Sequence, residues 1–249
     1  MKELENDWMK KWELGKEKTL CPVDLNKYFE QKEIAGKSLA TINIGSCDLP
    51  SGNILVRDPL VYLPNRNERP YFQKAPAGRY ETEICVVKSD GEDCDRYAAV
   101  RLRFNDRRAV RFYEALIGNE NLETLKEEGD YFGFNVDAGL GCICDEIIHR
   151  IYCDWDEQWR EDHPDDNPYD GYFAALFKEN YHQHPMYQRA DGDWLNWQVP
   201  GTEYHIPIFQ SGFGDGTYPV YWGIDENDEI CQLVIQFIDI ELAYDNDEN

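Results

Sequence analysis

The chain has 249 residues, 25 of them basic and 49 acidic, for a formal net charge of -24. That charge repels nucleic-acid phosphates and anionic membranes, so neither is an expected partner, whereas a basic protein or a cation would be drawn in. Hydrophobic residues at 42% and aromatics at 14% supply a sizeable core and exclude a disordered chain.

Met-Lys at the start is followed by no apolar run, so no signal peptide is expected. No apolar stretch reaches transmembrane length; the longest, around Leu233 to Ile240, is interrupted by Gln236 and Asp239. The eight cysteines are therefore expected to be reduced thiols in a cytoplasmic protein.

Residues 1–19 read as an amphipathic helix with Leu4, Trp8 and Trp12 on its apolar stripe and Leu14 as a further candidate for it. Asp24 is a candidate N-cap for a short helix reaching Ile34. Residues 1–37 are read as a helical segment packed on one α+β domain, residues 38–249. Residues 39–44 and 54–57 alternate as strands, and Asp58-Pro59 ends the second because proline cannot donate to a ladder.

Residues 79–105 read as a hairpin around the turn Ser89-Asp-Gly-Glu-Asp. Folding it there sets Glu83 opposite Arg101 and Glu81 opposite Arg103, with one wet face and one core face. Residues 110–117 fit strand or helix. Residues 121–128 form a short polar helix or loop, and 131–136 a strand. Past Gly141 the period lengthens: Ile143, Ile147, Ile151, Trp155 and Trp159 fall at steps of four, predicting a long helix up to the loop at 163–168. A further helix spans 169–181, and strands span 194–199 and 204–209. Residues 218–224 and 230–242 form a last hairpin around an acidic turn. Both parities are largely apolar from Leu233 to Ile238, which predicts a central strand covered on both faces. An acidic tail, 245–249, closes the chain. The class is α+β: a mostly antiparallel sheet, one or two packed helices and an N-terminal amphipathic helix.

Four ordered blocks resemble a known family. They are Ser51-Gly-Asn-Ile-Leu-Val-Arg-Asp58-Pro59-Leu60; Pro76-Ala-Gly78-Arg-Tyr80 with Tyr97-Ala-Ala99; Val136-Asp137-Ala-Gly139 through Asp145; and Ser211-Gly-Phe-Gly-Asp215-Gly216-Thr-Tyr218-Pro-Val-Tyr221-Trp-Gly223. They are similar to the bacterial domain-of-unknown-function family 4241. Gln236 before Phe237 departs from that pattern, which often carries Asp there. The resemblance implies a bacterial intracellular origin and one domain, supplies no mechanism, and directs attention to Asp58, Asp137, Asp145 and Asp215.

Asp58, Asp137 and Asp215 each sit at a strand end or beside a glycine. If brought together they would hold a divalent cation or form an acid/base pair; if not, each caps a turn or helix start. Cys142 at a helix N-terminus would be a nucleophilic thiolate. The Ser211–Gly216 stretch has no lysine and no following helix, so it is not a phosphate loop. Ser211 lies outside a Gly-x-Ser-x-Gly elbow. Cys142-x-Cys144 has no second pair to complete a zinc site. No cofactor or metal is expected. Ser211, Asp215, Tyr218, Tyr221 and Trp222 are the candidate binding residues, their aromatics expected at the surface among acidic neighbours that suit Arg or Lys. Three functions stay open: a non-enzymatic acidic binding protein, such as an immunity-type partner of a basic protein; a hydrolase or metal-dependent enzyme using the aspartates; and a thiol enzyme using Cys142.

Overall fold

The computed structural model describes residues 6–89 and 95–245. In chain order these form α1 (Asn6–Gly15), α2 (Lys27–Glu30), β1 (Glu33–Ile34), β2 (Lys37–Leu49), β3 (Ile54–Arg57), β4 (Gly78–Val87), β5 (Arg96–Arg103), β6 (Arg111–Glu114), β7 (Phe134–Val136) and β8 (Leu140–Asp145). They continue with α3 (Glu146–Asp162), α4 (Ala174–Gln183), β9 (Trp194–Gln198), β10 (His205–Gln210), β11 (Gly216–Tyr218), β12 (Val220–Ile224), β13 (Ile230–Gln236) and α5 (Ile240–Tyr244).

A seven-stranded antiparallel sheet runs in the order β1-β2-β4-β5-β13-β12-β6, and a four-stranded one in the order β3-β8-β10-β9. Strands β7 and β11 pair separately. This is the expected α+β class, built as three layers. Ile44 and Leu49 of β2, Ile54 and Val56 of β3, Ile143 of β8 and Phe209 of β10 share one core with the large sheet. The opposite face of the small sheet, with Cys142, Cys144, Trp197 and Ile208, is covered by Ile148 and Tyr152 of α3 and Phe177 of α4. β13, buried from Cys231 to Gln236, lies between β5 and β12, so its two apolar parities are explained by cover on both faces.

The β4–β5 register sets Glu83 opposite Arg101, and Arg101 donates to Glu83 at 2.7 Å. Two expectations for this hairpin need correction. Arg103 pairs with Asp106, while Glu81 accepts from the Asn43 side chain, so the second charged pair does not form. The charged face is also not fully wet: Arg101 is buried and stacks 4.0 Å from the Phe29 ring centroid in α2. The hairpin's tip, from Asp90 to Cys94, lies outside the described residues, as do Leu4 and the acidic tail beyond Asp245.

The helix expected to begin after Gly141 begins five residues later. Ile143 belongs to β8, and Ile147 is exposed rather than on the core stripe. Asp145 explains the boundary: as N-cap it accepts the Ile147 N–H, and its carboxylate also takes the N–H groups of Ser51 and Gly52. The helix expected to reach Ile34 shrinks to α2, after which β1 begins. The last strand, expected to run to 242, ends at Gln236, and residues 240–242 instead open α5, capped by Asp239. The N-terminal segment meets the body where Leu20 bridges Tyr113 and Trp8 donates to the Glu120 carbonyl at 2.8 Å.

Candidate functional site

The three aspartates do meet, at one turn. Fully buried Asp58 uses one carboxylate oxygen for the N–H groups of Leu60 and Val61 and the other for those of Asp137 and Ala138. Asp215 accepts the N–H of Gly139 at 3.0 Å, and Ser211 donates its N–H to the Gly139 carbonyl. The Asp137 carboxylate is exposed and accepts from the Tyr62 hydroxyl at 2.5 Å. The turn is thus stitched from both sides by carboxylates that bind backbone, which is the turn-capping alternative. Burial pushes the Asp58 pKa up, against the pull of its backbone donors. Among the described residues no group of three or more His, Cys, Asp or Glu is placed to hold a metal ion.

Ser211 is buried and donates its hydroxyl to the Gly214 carbonyl at 2.7 Å, a carbonyl that Tyr218 also reaches. Gly212 and Gly214 have φ of 59° and 103°, the left-handed region that favours glycine. A Cβ on Gly212 would also stand 2.9 Å from that of Phe237. Gly212 therefore lets the chain press against Phe237, just past the end of β13, while Gly214 supplies a turn conformation in open space.

The aromatics expected at the surface are core residues. Trp222 is fully buried, Tyr221 is 3% exposed and Tyr218 is 9% exposed. β12 sits between β13 and β6 and is buried from Val220 to Gly223, so these rings pack inward and do not face solvent. Cys142 is likewise corrected. It lies within β8, not at a helix N-terminus, and burial pushes its thiol far up, opposite to what a nucleophile needs. The described cysteines are all free thiols.

The sequence reading missed a cleft of about 310 Å³ between the edge strands of the two sheets, β3 and β6. The segment after the 58–71 loop ties these edges together: Tyr71 donates its N–H to the Ile54 carbonyl and Phe72 to the Leu116 carbonyl. Arg57, Tyr62, Glu68, Tyr71, Glu120 and Phe132 are among the lining residues. Arg57 is buried, bonds Glu68 and the carbonyls of Val56 and Arg69, and lies 6.0 Å from the Tyr71 ring centroid. Behind the wall stands Glu114, 1% exposed. One of its oxygens accepts the N–H groups of Phe132 and Gly133; the other has no hydrogen-bond partner among the described residues. Burial pushes its pKa from 4.5 up to about 7. The one visible signal was a lone acid in the apolar run Phe112-Tyr-Glu-Ala-Leu116, and charged ends of strands are too common to single it out.

The family described as "Protein of unknown function (DUF4241)" matches residues 47–235, which span β3, the 58–71 loop, the 137–139 turn and the glycine-rich Ser211–Gly216 stretch. The chain belongs to this family. The match leaves out α1 and α2 and ends just before Gln236, the position departing from the family pattern. There the Gln236 amide donates to the buried Tyr28 hydroxyl of α2 at 3.1 Å, linking the end of the matched region to a helix outside it. No curated protein and no solved structure matches the chain.

Proposed function

We propose that this member of the family is a non-enzymatic, acidic binding protein of the bacterial cytoplasm whose partner is a basic protein. The supporting observation is the exposed end of α3 and the loop after it. Glu161, Asp162, Asp165, Asp166 and Asp170 are all exposed there, and none is in an ion pair among the described residues. Arg160, the basic residue of that turn, is committed to Asp156. Carboxylates at a helix C-terminus meet the negative end of the helix dipole and repel one another. A partner carrying Lys or Arg relieves that repulsion and is steered in by the net charge.

The buried thiol at Cys142 and the backbone-bound Asp58 give the two enzymatic alternatives no comparable support. The test is affinity capture from a lysate of the source organism at low salt, beside a variant with Glu161→Lys, Asp165→Lys and Asp166→Lys. A basic protein retained by the native chain, released by salt and lost with the variant is the expected result. Equal retention by the variant, or no basic protein retained, would sink the proposal. No helix among the described residues is long and apolar enough to cross a membrane.

A further inference from the structure

We propose that the cleft between β3 and β6 is a binding site for an organic monocation, an alkylguanidinium or alkylammonium group. Four observations carry it. The first is the lining, which includes three aromatic residues, Tyr62, Tyr71 and Phe132, and two acidic ones, Glu68 and Glu120. Aromatic faces and carboxylates together are the surroundings in which a desolvated organic cation is most stable. The second is Arg57, which shows the chemistry at work within the cleft, its guanidinium over the Tyr71 ring and bonded to Glu68. A guanidinium already fits this wall.

The third is the charge left over. Arg57 is the one basic residue of the lining and is spent on Glu68. Glu120 is held by the N–H groups of Ile117, Gly118 and Asn119 and is in no ion pair among the described residues. The fourth is Glu114. Its carboxyl is almost wholly buried, its two backbone donors belong to the cleft residues Phe132 and Gly133, and its second oxygen has no hydrogen-bond partner among the described residues. Glu120, in the lining, adds its negative charge to the burial that pushes the Glu114 pKa up. Unpartnered buried polar atoms are rare in folded proteins and ask for an explanation. A cation in the cleft supplies one by favouring ionised Glu114, so binding releases protons near neutral pH.

A cleft of about 310 Å³ suits a side-chain-sized group. The carrier is either a free small molecule or the Lys or Arg of a protein; only the second source rests on the function proposed above, and the experiment separates them. The probe is methylguanidinium chloride, titrated calorimetrically into the full chain at constant ionic strength, with uncharged methylurea as control. Repeating the titration in buffers of different ionisation enthalpy counts the protons released.

Saturable methylguanidinium binding with proton release is the expected result, weakened about tenfold by Tyr62→Ala at the rim and by Glu114→Gln behind the wall. Glu114→Gln should also abolish the proton release, a readout that a merely structural role would not move. If Glu114→Gln fails to fold, Tyr62→Ala and the buffer series on the native chain still decide the matter. Equal binding of methylurea, no saturation by about 50 mM (weaker than any useful contact of this type), or native-like binding by the folded variants overturns the proposal. Loss of both methylguanidinium and the captured basic partner in Tyr62→Ala identifies the source as a protein side chain. Loss of methylguanidinium alone identifies a free cation.

Discussion

Asp58 accepts the backbone N–H of Asp137 at 3.0 Å, so two aspartates that looked like members of one acidic site stand in different roles. Asp58 is a buried acceptor for four N–H groups, and Asp137 is an exposed carboxylate whose backbone is held. Asp58→Asn keeps one acceptor oxygen and turns an amide NH2 toward two N–H donors. Leaving those donors unsatisfied should cost about 2–4 kcal/mol in urea unfolding, with Asp137→Asn costing less than about 1 kcal/mol. Comparable losses in both would contradict this division of roles.

Glu114 gives stability a pH dependence with a definite sign. Its folded pKa is raised from 4.5 to about 7, so the folded state holds the extra proton. The stabilisation is complete below the unfolded value and is lost as pH rises through the folded one. The native chain should therefore lose up to roughly 3 kcal/mol between about pH 4.5 and 7 relative to Glu114→Gln. Denaturant unfolding of both proteins across that range measures the difference, and parallel curves would refute it.

Trp222 and Phe213 lie in the same stretch of sequence and differ in burial, fully buried against 58% exposed. Trp222→Ala removes a core ring packed near Tyr71 and Phe104 and should cost about 3–5 kcal/mol. Phe213→Ala should change stability by less than about 0.5 kcal/mol. Thermal or urea unfolding of the two variants checks the contrast.

Thiol labelling should be slow throughout the native fold. Burial pushes the Cys142 and Cys144 thiols well up, and Cys153 up to about 11 even though its sulfur lies 3.3 Å from His149 Nε2. A Cys94→Ser variant restricts the signal to the described cysteines. Iodoacetamide near neutral pH should label it many times more slowly folded than in denaturant; a fast native site would restore the thiol-enzyme reading.

Much of the architecture was legible in local pattern. The β4–β5 register followed from alternation plus one charged pair, Glu83 and Arg101, because a one-residue slip would invert both faces. The central position of β13 followed from its two apolar parities. Where β8 passes into α3 the reading failed. A strand covered on both faces is apolar at every position, so Ile143 fits a helical period as well as a strand, and the boundary is set by Asp145 gripping Ser51 and Gly52, distant in sequence.

The candidate site divides along the same line. Composition, charge and the antiparallel α+β class were determined by the sequence alone, because each is a property of local alternation or of the chain as a whole; turn-capping by Asp58 and Asp215 was one of two open alternatives, and the helix cap at Asp145 came only from the tertiary structure. Which aromatics are buried, which carboxylates converge and where a cleft opens were decided only by tertiary structure. Trp222 is covered because Tyr71 and Phe104, distant in sequence, pack against its ring, and Glu114 is stranded because the edges of two sheets meet beside it. Burial and the pairing of charges depend on which distant segments come to lie against a residue, and no local period carries that information.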